Sequence, residues 1–110
     1  MLEVSNEKNA VVITITEPQL QMYLVPMLRD KVSDILAENP PMLIIDLSQV
    51  DFVDSSGMGV LLQFHKKITA NGGNMLLSGV NERIHTIFKI TKSDRHFTIF
   101  ETLKQALESL

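Results

Sequence analysis

The sequence predicts an α/β fold, a partly parallel sheet of four to five strands with about four helices. Three observations carry this expectation. Residues 10–16 alternate between two faces, Val11, Ile13 and Ile15 on one and Val12, Thr14 and Thr16 on the other, which is the period of a strand. Residues 42–47, Met-Leu-Ile-Ile-Asp-Leu, form a nearly continuous apolar run, as in a strand covered on both faces. Between and beyond them, apolar residues recur at helical spacing, so strands and helices alternate and part of the sheet should be parallel. The 110 residues hold no repeat, linker or low-complexity tract, and 1–110 reads as one domain.

In chain order, Leu2 to Ser5 is a short strand able to pair with the next across the polar turn Asn6 to Asn9. Pro18 punctuates the second strand. From about Gln19 to Glu38, Leu24, Leu28, Val32, Ile35 and Leu36 fall at helical spacing, with Arg29, Asp30, Lys31 and Asp34 towards water. Proline is acceptable in a helix's first turn, so Pro26 sets the regular helix near Val25 and leaves Gln19 to Leu24 as an irregular apolar approach. Asn39-Pro40-Pro41 ends that helix. A second helix is expected from Ser56 to about Ala70, with Met58, Leu61, Leu62 and Ile68 inward. Asn71-Gly72-Gly73-Asn74 closes it, since glycine accepts the left-handed conformation of a C-cap. Met75 to Ser78 is a further strand, and Asn81 can cap a helix carrying Ile84, Ile87 and Phe88. Phe97 to Phe100 is a short strand, and Leu103, Ala106, Leu107 and Leu110 stripe a last helix.

Composition excludes several functions. A formal charge of −3 and one Tyr, five Phe and no Trp speak against nucleic-acid binding, which needs phosphate neutralisation or aromatic stacking. The absence of cysteine removes disulfides and thiolate metal sites. The N-terminus lacks the basic and apolar regions of a signal peptide, and no stretch approaches the roughly 18 apolar residues of a spanning helix. A cytoplasmic chain without membrane insertion is the expectation.

Chemistry concentrates in Asp51-Phe-Val-Asp-Ser-Ser-Gly-Met-Gly59, between the apolar strand and the second helix. A helix N-terminus carries free N–H groups and partial positive charge, a seat for a cap or a phosphate. Ser55 and Ser56 suit an N-cap pair. Gly57 and Gly59 in a first turn forgo about 1 kcal/mol each relative to alanine, so a bare backbone is needed there for tight packing or for close approach by a partner. Met58 is either core or an exposed thioether near the helix tip. Of the acids Asp46, Asp51 and Asp54, the last favours the helix N-terminus and the others sit in solvent or satisfy loop amides.

No catalytic, metal or cofactor site emerges. The carboxylate spacing matches no calcium loop, and Asp-Ser-Ser-Gly-Met-Gly is not a Gly-x-Ser-x-Gly elbow. His65 lies about 15 Å along the helix from Ser55, too far to serve as its base, and reads as a partly buried packing residue. Asn71-Gly72-Gly73-Asn74 precedes a strand, whereas a phosphate loop follows one.

The run from Met42 through Asp46-Leu-Ser48 and Asp54-Ser-Ser-Gly-Met-Gly59 resembles the central signature of STAS domains, the anti-sigma factor antagonists. Similarity continues through Gly72-Gly73, the helix over Asn81 to Ile90 and Ile99-Phe100, covering most of residues 10–110. The resemblance implies a small α/β fold, a mixed four- to five-stranded sheet with about four helices largely on one side, without catalysis of its own or a cofactor. It implies that Ser55, directly after the aspartate, is phosphorylated by a serine kinase that doubles as anti-sigma factor, and that a phosphatase restores it. The unphosphorylated form would bind the kinase and free the sigma factor. Asp54, Ser56, Gly57, Met58 and Gln21 are then the expected partner-binding residues. Gln21 occupies the place of an acid usual in the family, which leaves open a non-switched STAS module of a larger signalling or lipid-transport ATPase assembly.

Overall fold

The computed structural model describes residues 1–110. Seven strands are present: β1 (Leu2–Glu7), β2 (Ala10–Ile15), β3 (Gln19–Leu20), β4 (Met42–Asp46), β5 (Phe52–Val53), β6 (Asn74–Ser78) and β7 (Thr98–Phe100). Four helices accompany them: α1 (Val25–Leu36), α2 (Ser55–Ala70), α3 (Glu82–Ile90) and α4 (Leu103–Glu108). A five-stranded sheet runs in the order β1-β2-β4-β6-β7. Only β1 is antiparallel to its neighbour; the other three pairings are parallel. The α/β class and mixed sheet read from the sequence are therefore what the chain forms.

Local chemistry explains the elements. Lys8 and Asn9 take φ of 49° and 67°, the positive values that a two-residue hairpin turn needs to match strand twist. Each parallel connection requires a crossover, and α1, α2 and α3 supply them. Pro26 falls in the first turn of α1, where no hydrogen bond is lost. The pleat of β2 sends Ile13 and Ile15 to one face and Ala10 and Val12 to the other.

The two faces are unequal. One is covered by α1, α2 and α3 in a cluster of 24 buried residues that includes Leu28, Val32, Leu61, Phe64, Ile84 and Phe88. The other holds a cluster of five, with Ala106 of α4 on Ala10, Val12, Ile44 and Leu76. Leu110, expected in the α4 stripe, lies past the helix end and is exposed.

Gln19 and Leu20, expected as irregular approach, pair in parallel with Phe52 and Val53 as a separate two-stranded sheet. Asp51 and Phe52 N–H both donate to the Pro18 carbonyl, at 2.7 and 3.2 Å. Pro18 has no N–H to give, but its carbonyl is a full acceptor. This small ribbon holds the segment before α1 against the start of α2.

Candidate functional site

The N-terminus of α2 lies beyond the carboxyl end of β4, where ligands and partners of parallel sheets commonly meet the fold. Asp54 is its N-cap, with φ −85° and ψ −179°, and its Oδ1 accepts the Gly57 N–H at 2.8 Å. Oδ2 accepts the Met22 N–H at 3.0 Å. One carboxylate therefore binds the helix start and the β3–α1 loop together.

This corrects the expected serine cap. Ser55 and Ser56 are the first two helical residues, past the N-cap position, and the capping bond is made by Asp54. Ser55 is exposed, and no hydrogen bond within the chain engages its hydroxyl. Ser56 is half-buried. The first intrahelical bond runs from Met58 N–H to the Asp54 carbonyl at 2.9 Å, leaving the Ser55 and Ser56 amides ahead of the ladder.

The two glycines separate in role. A Cβ on Gly57 would lie 2.5 Å from the Leu20 carbonyl oxygen and 2.8 Å from Leu20 Cγ, so tight packing on β3 demands the bare backbone. Gly57 is thereby buried, not open to a partner. A Cβ on Gly59 would meet nothing within 4 Å. Met58, expected at the partner surface, is 5 % exposed and belongs to the core, because its position on α2 faces the sheet with Leu61.

Gln21 sits beside the site, half-buried, its Nε2 donating to Gln19 Oε1 at 2.8 Å and to the Tyr23 hydroxyl at 3.0 Å. Next to it, Met22 lines a groove of about 370 Å³ with Pro26, Arg29, Ser56, Gly59 and Gln63. Arg29 Nη2 donates to Gln63 Oε1 at 3.4 Å across that groove.

The remaining acids differ from one another. Asp51 is exposed, as expected. Asp46 is neither solvated nor on loop amides. It is 5 % exposed and accepts the hydroxyls of Ser48 at 2.8 Å and Ser78 at 2.9 Å. Both hydroxyls compensate a desolvated carboxylate, and Ser78 is out of sequence reach because it arrives on the neighbouring strand β6. No three His, Cys, Asp or Glu side chains converge as a metal site. His65 is half-buried with its ring edge-on to Phe97 at 5.9 Å, a packing arrangement far from Ser55 along α2.

Comparison with known proteins agrees with this geometry. The STAS domain family model matches residues 1–106. The chain is similar to the anti-sigma-B factor antagonist of Bacillus subtilis, 32 % identical over 90 residues, or 82 % of this chain and 81 % of that one. A relative from Thermotoga neapolitana is 34 % identical over 68 residues, which is 62 % of this chain and 60 % of its own length. The crystal structure of an anti-sigma factor antagonist from Mycobacterium paratuberculosis superposes with a TM-score of 0.89 at 25 % identity, covering 99 % of this chain and 92 % of that one. No helix here is long and apolar enough to cross a membrane. With the mixed sheet, the crossover helices and the Asp-Ser-Ser-Gly turn at the head of α2 in place, the chain belongs to the STAS domain family.

Proposed function

We propose that this chain is an anti-sigma factor antagonist that binds an anti-sigma factor serine kinase, releases the sigma factor and is switched off by phosphorylation of Ser55. The observation that carries this reading is the division of labour at the helix head: Asp54 does the capping, and the Ser55 hydroxyl stands exposed and unengaged beside it. The kinase would move the γ-phosphoryl group of ATP to Ser55 Oγ, with ADP leaving and the hydroxyl proton passing to the kinase's base. A phosphatase would hydrolyse the ester and restore the serine. The chain itself supplies a binding surface, with Asp54, Ser56 and Gln21 around Ser55, and no cofactor. Its relatives' names support an antagonist role. Action in the cytoplasm, as one domain over 1–110, belongs to the same reading.

Electrostatics make such a switch effective. A phosphoserine carries about −1.5 to −2 charge. At roughly 7 Å from a partner carboxylate and an effective dielectric near 20, a −2 group meets about 5 kcal/mol of repulsion before salt screening. About 1.4 kcal/mol changes affinity tenfold, so even a third of that repulsion weakens the complex by about fifteenfold.

The test is incubation with the serine-kinase anti-sigma factors of the source genome and Mg-ATP, with the product mapped by mass spectrometry. One phosphate on Ser55 is expected, with binding kept by Ser55→Ala and lost by Ser55→Asp. Labelling at Ser56 alone, or unchanged binding by Ser55→Asp, sinks the reading. Gln21 in place of the family acid, its amide turned to Gln19 and Tyr23, leaves open a second possibility, a non-switched module of a larger signalling or lipid-transport ATPase assembly. Co-purification of ATPase subunits with Ser55 unmodified would select it.

A further inference from the structure

We propose that Met22 and Tyr23 form the anchor by which this chain docks on its partner, and that the partner presents an apolar pocket bordered by basic side chains. The inference rests on the proposed antagonist function and names what that surface recognises.

Met22 and Tyr23 are 69 % and 78 % exposed, while their apolar neighbours Leu20 and Leu24 are 0 % and 4 % exposed. Two large apolar side chains left in water side by side, next to the exposed Ser55, are the kind of pair that an interface buries at its centre. They are also held. The Met22 N–H is fixed on Asp54, the Tyr23 hydroxyl on Gln21, and Leu24 N–H returns to the Gln21 carbonyl at 2.9 Å. A loop ordered before docking loses less entropy on binding, so more of the contact energy appears as affinity. Met22 forms one wall of the groove whose floor at Gly59 is free of side chain, which gives a partner group somewhere to enter.

Charge selects the occupant. Residues 9–28 and 42–65 contain Glu17, Asp46, Asp51 and Asp54 and no lysine or arginine. Asp46 is buried, so the acids on this side are Asp54, bonded to the Met22 N–H, and Glu17 and Asp51 at the Pro18 end of the β3–β5 ribbon, against a single cation, Arg29, in the groove. This excess of acids, three against one cation, disfavours an anionic lipid surface and a second copy of a chain whose net charge is −3. It attracts a protein surface with basic residues around an apolar pocket.

The experiment titrates each serine-kinase anti-sigma factor encoded in the source genome against the wild type, Met22→Ala/Tyr23→Ala, and Ile90→Ala. Ile90 is 75 % exposed on α3 and serves as an apolar control outside the patch. Circular dichroism and melting should be unchanged, since neither anchor residue is packed. The expected result is a loss of at least thirtyfold in affinity for the double variant, none for Ile90→Ala, and wild-type affinity that falls as salt rises. Wild-type binding that the double variant retains would overturn the anchor and leave the antagonist reading standing. Failure of the wild type to bind any of these kinases would remove the antagonist reading, and the anchor with it.

Discussion

The carboxylate of Asp54 reaches the main-chain N–H of Met22, thirty-two positions earlier, at 3.0 Å while its other oxygen caps α2 at Gly57. The start of one helix and the approach to another are thereby tied by a single side chain. Asp54→Ala should cost about 1 kcal/mol for the cap and about 1.5 kcal/mol or more for the second charge-assisted bond. Asparagine caps nearly as well, but only one of its two terminal atoms accepts, so Asp54→Asn should lose about half as much. Urea unfolding curves of the three proteins measure this order.

The two glycines of α2 should respond with opposite sign. Gly57→Ala forces a methyl against the Leu20 carbonyl and should destabilise by about 1–3 kcal/mol. Gly59→Ala meets open space and should gain up to about 1 kcal/mol from helix propensity. Equal shifts of both unfolding midpoints would contradict the packing described for β3 and α2.

Ser55→Ala should leave stability within about 0.5 kcal/mol of the wild type, because no cap is lost. The residues that do cap should behave otherwise. Asn81 accepts the Ile84 N–H at 2.8 Å and Thr102 the Gln105 N–H at 3.1 Å, and alanine at either should cost about 1 kcal/mol. Thermal melts of the three variants side by side separate a serine without a capping role from the two residues that cap.

Asp46→Ala strands the hydroxyl of the fully buried Ser78, while the exposed Ser48 can turn to water, and should cost about 2–3 kcal/mol. Ser78→Ala leaves the carboxylate one donor in Ser48 and should cost about 1–2 kcal/mol. A double-mutant cycle between the two positions should return a coupling well above the scatter of the single measurements.

The elements legible in the sequence were those long enough to show a period. The alternation of residues 10–16 and the apolar run at 42–47 became β2 and β4, and the stripes at Leu24 to Leu36 and Ile84 to Phe88 became α1 and α3. The ribbon of β3 and β5 was not legible, because two residues carry no period and pairing depends on what the fold brings alongside. At the site, Asp54, Ser55 and Ser56 are all good caps by composition. Backbone geometry alone selects the first, whose extended ψ of −179° precedes the helix. The exposure of Met22 and Tyr23 was hidden for a related reason: they fall within an apolar stretch whose other members, Leu20, Leu24 and Val25, are core.

The far side of the sheet rests on little. Six residues of α4, anchored through Ala106, shield Val12, Ile44 and Leu76 from water. A helix this short frays at low free-energy cost, so its amides should exchange with deuterium through brief local openings while those of α2 wait for global unfolding. Each opening bares branched aliphatic strand surface to neighbouring molecules. On slow heating, the first contacts between chains should therefore form at this end, before the helical face has lost any structure.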